Sequence, residues 1–321
     1  MVEVSHGDRV VFPGGPNVSR TKADVVAYYQ RIAPRAMPHL VGRPLSMKRY
    51  PKGIGEPGFF QKNVPAHYPS SIGKFEVPRS KEAAKRHPRK AGKESADVTV
   101  YPLVVEPEHL AYLANQGAIE LHVPTGRVPD IYRPDRVILD LDPPSGAVAL
   151  VRRAALIARD AFGELGLATV PIATGSKGYH VVAAIRPTVG VDVLAVAMQK
   201  LAALLVARHP DELTTVFRVA NRGERVFVDW MRNFPNATVV SPYSLRARPR
   251  ATVAAPLVWD EIGSTPPDAF TMDDVARLEE RPDTLADRAA APDDAEPFVA
   301  AVDAAFERSG LVLEPFDRFR S

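Results

Sequence analysis

The sequence predicts a mixed α/β (α+β) protein, on three observations. Residues 137–144 read VILDLDPP, an aliphatic run stopped by two prolines, which marks a buried strand. Ala147–Leu165 and Val191–Arg208 carry apolar residues at helical spacing, the latter with Leu194, Ala197, Met198, Leu201 and Leu205 on one face. Leu167–Ala173, Tyr179–Ile185 and Val226–Trp230 read as further short strands around those helices. No repeat or linker-like stretch divides the 321 residues, so one compact unit is expected, with a basic part (1–130), a central part (about 131–260) and an acidic helical part (261–321).

Taken in order, Ser19–Arg35 reads as a helix capped by Ser19 or Thr21, with Val25, Val26, Tyr29 and Ile32 recurring along it. Lys22 lies in its first turn, where free amides and an ammonium together suit a phosphate; a plain surface lysine is the simpler reading from spacing alone. Pro38–Lys62 alternates turns with short strands, one of them bearing Lys48 and Arg49. Phe59 and Phe60 are adjacent on another; side chains alternate along a strand, so one ring enters the core while the other is free to stack on a base. Pro78–Ser95, rich in Lys and Arg and poor in apolar residues, reads as a flexible basic loop able to track a phosphate backbone. Val98–Val105 alternates like a strand, Pro107–Asn115 is a short helix ended by Gly117, and Ala118–Val123 is a strand carrying His122. Near the C-terminus, helices are expected over Met272–Glu280 and Pro297–Ser309.

Composition narrows the function classes. No apolar run approaches 18 residues, so no membrane-spanning helix is expected. The first residues lack a basic-then-apolar signal pattern, and the absence of cysteine rules out disulfides and thiolate metal sites. Both fit a cytoplasmic location. Net charge is only +3, but residues 1–100 carry 18 Lys/Arg against 8 Asp/Glu, while residues 251–321 carry 6 against 16. That basic N-terminal third points to a polyanionic partner.

The chemistry centres on the aspartates. Asp140 and Asp142 are two apart on one strand and share a face, where their charges repel unless a cation or proton intervenes. A hard divalent ion, Mg²⁺ or Mn²⁺, suits such oxygen ligands; two solvated aspartates at a strand end are the plainer alternative. Thr174–Gly178 (TGSKG) is a tight turn leading to His180, and its hydroxyls, ammonium and amides make a ready anion cradle without Walker spacing. Asp229 interrupts the apolar alternation of VFVDW, and a carboxylate on a buried strand is costly unless paired or metal-bound. After the Asn221–Gly223 turn and this strand, Arg246 and Arg248 in SPYSLRARP fall on one side if extended. Three carboxylates with clustered Lys, Arg and His are what metal-assisted phosphoryl transfer needs.

The stretches SMKRYPKGIGEPGFFQKN, LANQGAIELHVP, VILDLDPP, TGSKGYHVV, RVFVDW and SPYSLRARP, in this order, resemble the polymerase domain of bacterial ligase D, in the archaeo-eukaryotic primase superfamily. The likeness spans roughly residues 20–260. It implies a primase-type fold: an RRM-like catalytic palm joined to a smaller sheet. It implies that Asp140, Asp142 and Asp229 bind two metal ions, and that Thr174, Ser176, Lys177 and His180 hold the triphosphate with Lys48, Arg222 and Arg246. His122 would approach the sugar or metal side, Phe59 or Phe60 the base, and Lys22 a 5′-phosphate downstream of a gap. The implied activity is template-dependent extension of a primer 3′-OH in gap filling or end joining, with ribonucleotides favoured over deoxyribonucleotides and Mn²⁺ often preferred. Its partners would be gapped or broken DNA, nucleoside triphosphates, a separate ligase and an end-binding protein.

The chain departs from the family at Thr174, where Ser is usual, and in a shorter His122–Val137 stretch, which bears on end-bridging. It carries no ligase or nuclease motif and so resembles a stand-alone member. A D-x-D glycosyltransferase, a phosphohydrolase using one Asp as nucleophile, and an inactive nucleic-acid-binding relative are the competing readings. The first would not need Asp229, the basic loop or the ring pair, the second would release phosphate where a polymerase releases pyrophosphate, and the last would retain duplex affinity without extension.

Overall fold

The computed structural model describes residues 3–14, 19–79 and 98–315. The basic stretch Pro78–Ser95 therefore lies, beyond its first two residues, outside the described residues.

The larger sheet has six strands, in the order Leu213–Thr214, Val226–Asp229, Arg136–Asp142, Tyr179–Ala184, Thr169–Ala173, Ala255–Pro256. All neighbours run antiparallel except the first pair. Alternation divides its faces. Val137, Leu139, Leu141, Val181 and Val228 point back into the main core, against the helices Val148–Glu164 and Val191–Arg208. Alanines at 154, 155, 158 and 161 of the first helix let it approach the strands closely. The second helix is buried on more than the one face its periodicity shows, because Ala295–Ser309 packs over it as a further layer. On the front face Ile138, Val170, Ile172 and Val182 form a small separate cluster, covered by Leu285 and Val239. Beyond this cluster the front face turns polar.

A four-stranded sheet, ordered Val239–Val240, Ala118–Val123, Ser46–Arg49, Phe59–Gln61, stands beside it. Its register pairs His122 with Ser46, Glu120 with Lys48, and Lys48 with Phe60, so these side chains share one face. Its Val239–Val240 strand leaves the larger sheet's segment of the chain, which binds the two sheets together.

The first helix, Lys22–Leu40, runs five residues past its expected end at Arg35, through Pro34 and Pro38. An interior proline costs about 3 kcal/mol. Burial of Ile32, Ala33, Ala36 and Leu40 on the core side offsets that cost, at roughly 1.5–3 kcal/mol for each large side chain. Its acidic neighbours come from the C-terminal part: Arg20 pairs with Asp273, and Arg31 with Glu279 at 2.6 Å. Buried His39 and Tyr243 both bond Asp283 Oδ2, at 2.9 and 3.0 Å. Asp283 also caps Thr284–Ala290, a helix the periodicity did not reveal. Part of the charge asymmetry is thus neutralised by surface ion pairs within the chain, which weakens its value as a sign of an external polyanion. Among the described residues no helix is long and apolar enough to cross a membrane.

Candidate active site

Strand register assembles the site. Asp140 lies directly opposite His180 on one neighbouring strand and Asp229 on the other. Directly opposed residues of an antiparallel pair face the same way. Asp229, Asp140 and His180 therefore form one row across three central strands, with Asp142 two residues further along the same face. All but Asp142 are buried. His180 Nε2 lies 3.6 Å from Asp140 Oδ1.

This crowding sets the charge states. Burial, then repulsion from Asp140, pushes the Asp142 carboxyl up to about 6. Burial pushes Asp229 to about 6 as well, with Arg232 opposing and Asp140 adding to the rise. His180 is driven down to about 3 by burial and by the cations Arg232 and Arg246, and is neutral at pH 7.

Arg232, which the sequence reading passed over, sits among the carboxylates. Its Nε is 3.1 Å from Asp140 Oδ2 and 3.0 Å from Asp229 Oδ2. It occupies a 3₁₀ turn held by Asn233, whose side chain receives Ile138 N–H at 2.9 Å and donates to Ile138 O and Trp230 O. The available signal was its place three residues after Asp229. Among the described residues no three acidic or imidazole groups converge as a ready-made metal chelate; the guanidinium bridges two carboxylates instead. The donors are nonetheless all oxygen, and burial together with repulsion from neighbouring carboxylates raises Asp142 and Asp229, which suits a hard cation.

A cavity of about 590 Å³ opens over Asp140, Asp142 and His180; Asp229, opposite Asp140, does not line it. The 174–178 turn forms one wall, with Thr174, Ser176 and Lys177 lining it. Gly178 is there for contact: a Cβ would lie 1.8 Å from Leu141 O, so only glycine lets the turn press on the Asp140–Asp142 strand. Thr174 donates its hydroxyl to Gly178 O at 2.7 Å, so its proton closes the turn and only its lone pairs face outward. Arg246 donates to Thr174 O at 2.7 Å and Arg248 to Ser176 Oγ at 2.8 Å, which puts both arginines on the turn's side of the cavity. Arg222 enters from the opposite rim, its guanidinium 3.7 Å from the Phe227 ring centre and bonded to the carbonyls of Val216 and Phe217.

The smaller sheet contributes His122, which lines the cavity. Lys48 lies on the same face, its Nζ 5.9 Å from the Phe60 ring centre. Neither Phe59 nor Phe60 enters the core, contrary to expectation: they are 48% and 58% exposed, on a strand with neither face covered. Register separates their roles. Phe60 shares the His122 face, at 5.4 Å between ring centres; Phe59 lies on the other face, under the Arg49 guanidinium.

Lys22 is apart from all of these, in a second cavity of about 210 Å³ with Arg9, Arg49, Ser5 and Asn115. Its Nζ donates to Ser5 O at 2.6 Å and Ser5 Oγ at 2.9 Å, and burial, then Arg9, lowers its pKa. The expected free amides of the helix end are not free. Lys22 N–H goes to Arg9 O, Ala23 N–H to Gly7 O, and Thr21 with Asp24 completes a capping box. Any anion here meets side-chain cations, not the helix terminus.

Residues 21–285 match the family described as LigD, primase-polymerase domain. The chain belongs to this family. The LigD primase-polymerase family comprises metal-dependent nucleotidyltransferases. The chain is 33% identical over 289 residues to the multifunctional non-homologous end joining protein LigD of Mycolicibacterium smegmatis, covering 89% of this chain and 36% of that protein. It is 28% identical to the bifunctional LigD of Bacillus subtilis, over 84% of this chain and 41% of that one. The chain thus spans between about a third and two fifths of these relatives. The polymerase domain of Mycobacterium tuberculosis ligase D, solved in complex with DNA, superposes with a TM-score of 0.80 at 30% identity, over 91% of this chain and 99% of that one. The expected mixed fold of the ligase D polymerase type is therefore the fold observed.

Proposed function

We propose that this chain is a template-dependent primase-polymerase that adds nucleotides, ribonucleotides in preference, to a primer 3′-OH at short gaps or broken ends in non-homologous end joining. One observation carries the reading: in a LigD-family chain, Asp229, Asp140 and His180 stand in one row across three strands, and a cavity walled by Lys and Arg opens over Asp140, Asp142 and His180. Asp140, Asp142 and Asp229 would hold two Mg²⁺ or Mn²⁺ ions, which when bound supply activation of the 3′-hydroxyl and neutralisation of the departing pyrophosphate.

The chain's own groups do the rest. Ser176, Lys177, Arg222 and Arg246 hold the triphosphate oxygens, with Thr174 shaping the turn beneath them and Lys48 at the outer edge. Neutral His180 donates a hydrogen bond without adding charge beside the carboxylates. His122 takes the sugar side, and Phe60, on the sheet face that carries His122, stacks on the base. Lys22 with Arg9 reads a 5′-phosphate on the downstream strand. Gapped or broken DNA is then the macromolecular partner, with a ligase and an end-binding protein acting on the same ends.

The test is extension of a labelled primer across a short 5′-phosphorylated gap with Mn²⁺, offering ribonucleotides and deoxyribonucleotides separately. Wild type is expected to extend, faster with ribonucleotides, while Asp140→Ala and Asp229→Ala bind the DNA and do not extend. Extension by either variant at the wild-type rate refutes the carboxylate assignment. A deoxyribonucleotide bias refutes the sugar preference alone.

A further inference from the structure

Glu120 is a buried carboxylate outside the aspartate row, on the central Ala118–Val123 strand of the smaller sheet. A charge in such a place is costly unless its oxygens are satisfied. Here they are. Oε2 is bonded to His122 Nε2 at 3.0 Å and lies 3.3 Å from Arg246 Nε; Oε1 accepts the Ala247 N–H at 3.1 Å. Burial raises its pKa, but the hydrogen bond from His122 and the charge of Arg246 outweigh burial and draw it down to about 2, so it is ionised at working pH.

An ionised carboxylate only accepts, so the proton of the neutral His122 ring must sit on Nε2. That leaves Nδ1 as the ring's acceptor, suited to a hydroxyl and not to a phosphate oxygen. The same carboxylate steadies Arg246, which reaches on to Thr174 O in the turn of the larger sheet. We propose that Glu120 is a positioning residue: it fixes the His122 tautomer and braces Arg246 against the 174–178 turn, so that one buried charge aligns the sugar side and the triphosphate side of the nucleotide site. This rests on the polymerase reading for the identity of the ligand, but not for the tautomer.

The test has an arm free of activity. In full-length protein with ¹⁵N-labelled histidine, His122 is expected as the Nε2–H tautomer at neutral pH; an Nδ1–H tautomer or an imidazolium in the wild type overturns the proposal. Glu120→Gln, nearly isosteric, is expected to lose that single tautomer. It should also raise KM for nucleoside triphosphate roughly 10-fold, the scale of a lost charge-assisted hydrogen bond, with a smaller fall in kcat. In a His122→Ala background the KM effect of Glu120→Gln should shrink. Full additivity, with the tautomer unchanged in Glu120→Gln, overturns the proposal and makes Glu120 a packing residue. No extension by the wild type, with the tautomer as expected, sinks the polymerase reading and leaves Glu120's hold on His122 standing.

Discussion

Replacing Arg232 tests whether electrostatics or packing holds the aspartate row. Arg232→Ala removes a guanidinium 3.1 and 3.0 Å from two buried carboxylates. Breaking a buried pair on one side costs about 3–5 kcal/mol. The Arg232 side chain is 38% exposed, and screening reduces the expected loss to about 1–3 kcal/mol at pH 8. The loss should depend on pH with a definite sign. Asp142 and Asp229, at about 6 in the folded protein against an ordinary 3.8, bind more protons folded than unfolded. They therefore favour the folded state as pH falls through 6 towards 4, and this contribution is lost as pH rises through 6. At pH 5 repulsion in the row is relieved by protons, and the cost of Arg232→Ala should fall below about 1 kcal/mol. Urea unfolding of both proteins at pH 5 and 8 measures this. Added Mn²⁺ should stabilise the variant more than the wild type at pH 8, since a cation then enters a row stripped of its own. Equal losses at the two pH values would show that the side chain acts by packing and would refute the reasoning.

Three further substitutions separate parts of the site. Phe60→Ala should raise KM for nucleoside triphosphate about 10-fold, from the roughly 1–3 kcal/mol of a base stack, while Phe59→Ala changes it less than about twofold; equal effects in steady-state kinetics would put both rings on the substrate. Lys22→Ala should reduce preference for a 5′-phosphorylated gap over an unphosphorylated one in a competition assay, and an unchanged preference moves that site elsewhere. Gly178→Ala would place a methyl 1.8 Å from Leu141 O, so extension should be lost with a lowered melting temperature; near-wild-type behaviour would show that turn and strand can part without harm.

Local pattern reached some of this architecture and missed the rest for identifiable reasons. Strand alternation alone put Asp140 and Asp142 on one face, and helical spacing delimited Val191–Arg208 as observed. It could not put Asp229 or His180 opposite Asp140, because register between strands 40 and 89 residues apart is set by the whole sheet. The likeness to ligase D supplied that grouping where periodicity had nothing to say. Arg232 escaped because it lies in a 3₁₀ turn fixed by a side chain, Asn233, that imitates a strand's hydrogen bonds. The amides at Lys22 were misjudged because the carbonyls that satisfy them belong to Gly7 and Arg9, in a segment with no periodic signal. Phe59 failed to bury because alternation assigns a side chain to a face without saying whether anything packs on that face, and here neither face of Phe59–Gln61 is covered.

Charge distribution now has a different meaning from its first appearance. The excess of acid in residues 251–321 is matched partly by the first helix and the strand before it, through Arg31–Glu279 and Arg20–Asp273, far from the aspartate row in sequence and held on other elements. The cavity keeps the opposite balance: Lys177, Arg222, Arg225, Arg232, Arg246 and Arg248 line it against Asp140 and Asp142. A net charge of only +3 for the chain thus conceals a strongly cationic pocket whose floor is anionic. Those two signs at different depths suit a ligand that brings phosphates to the walls and cations to the floor, and they disfavour a simple anion, which the floor would repel.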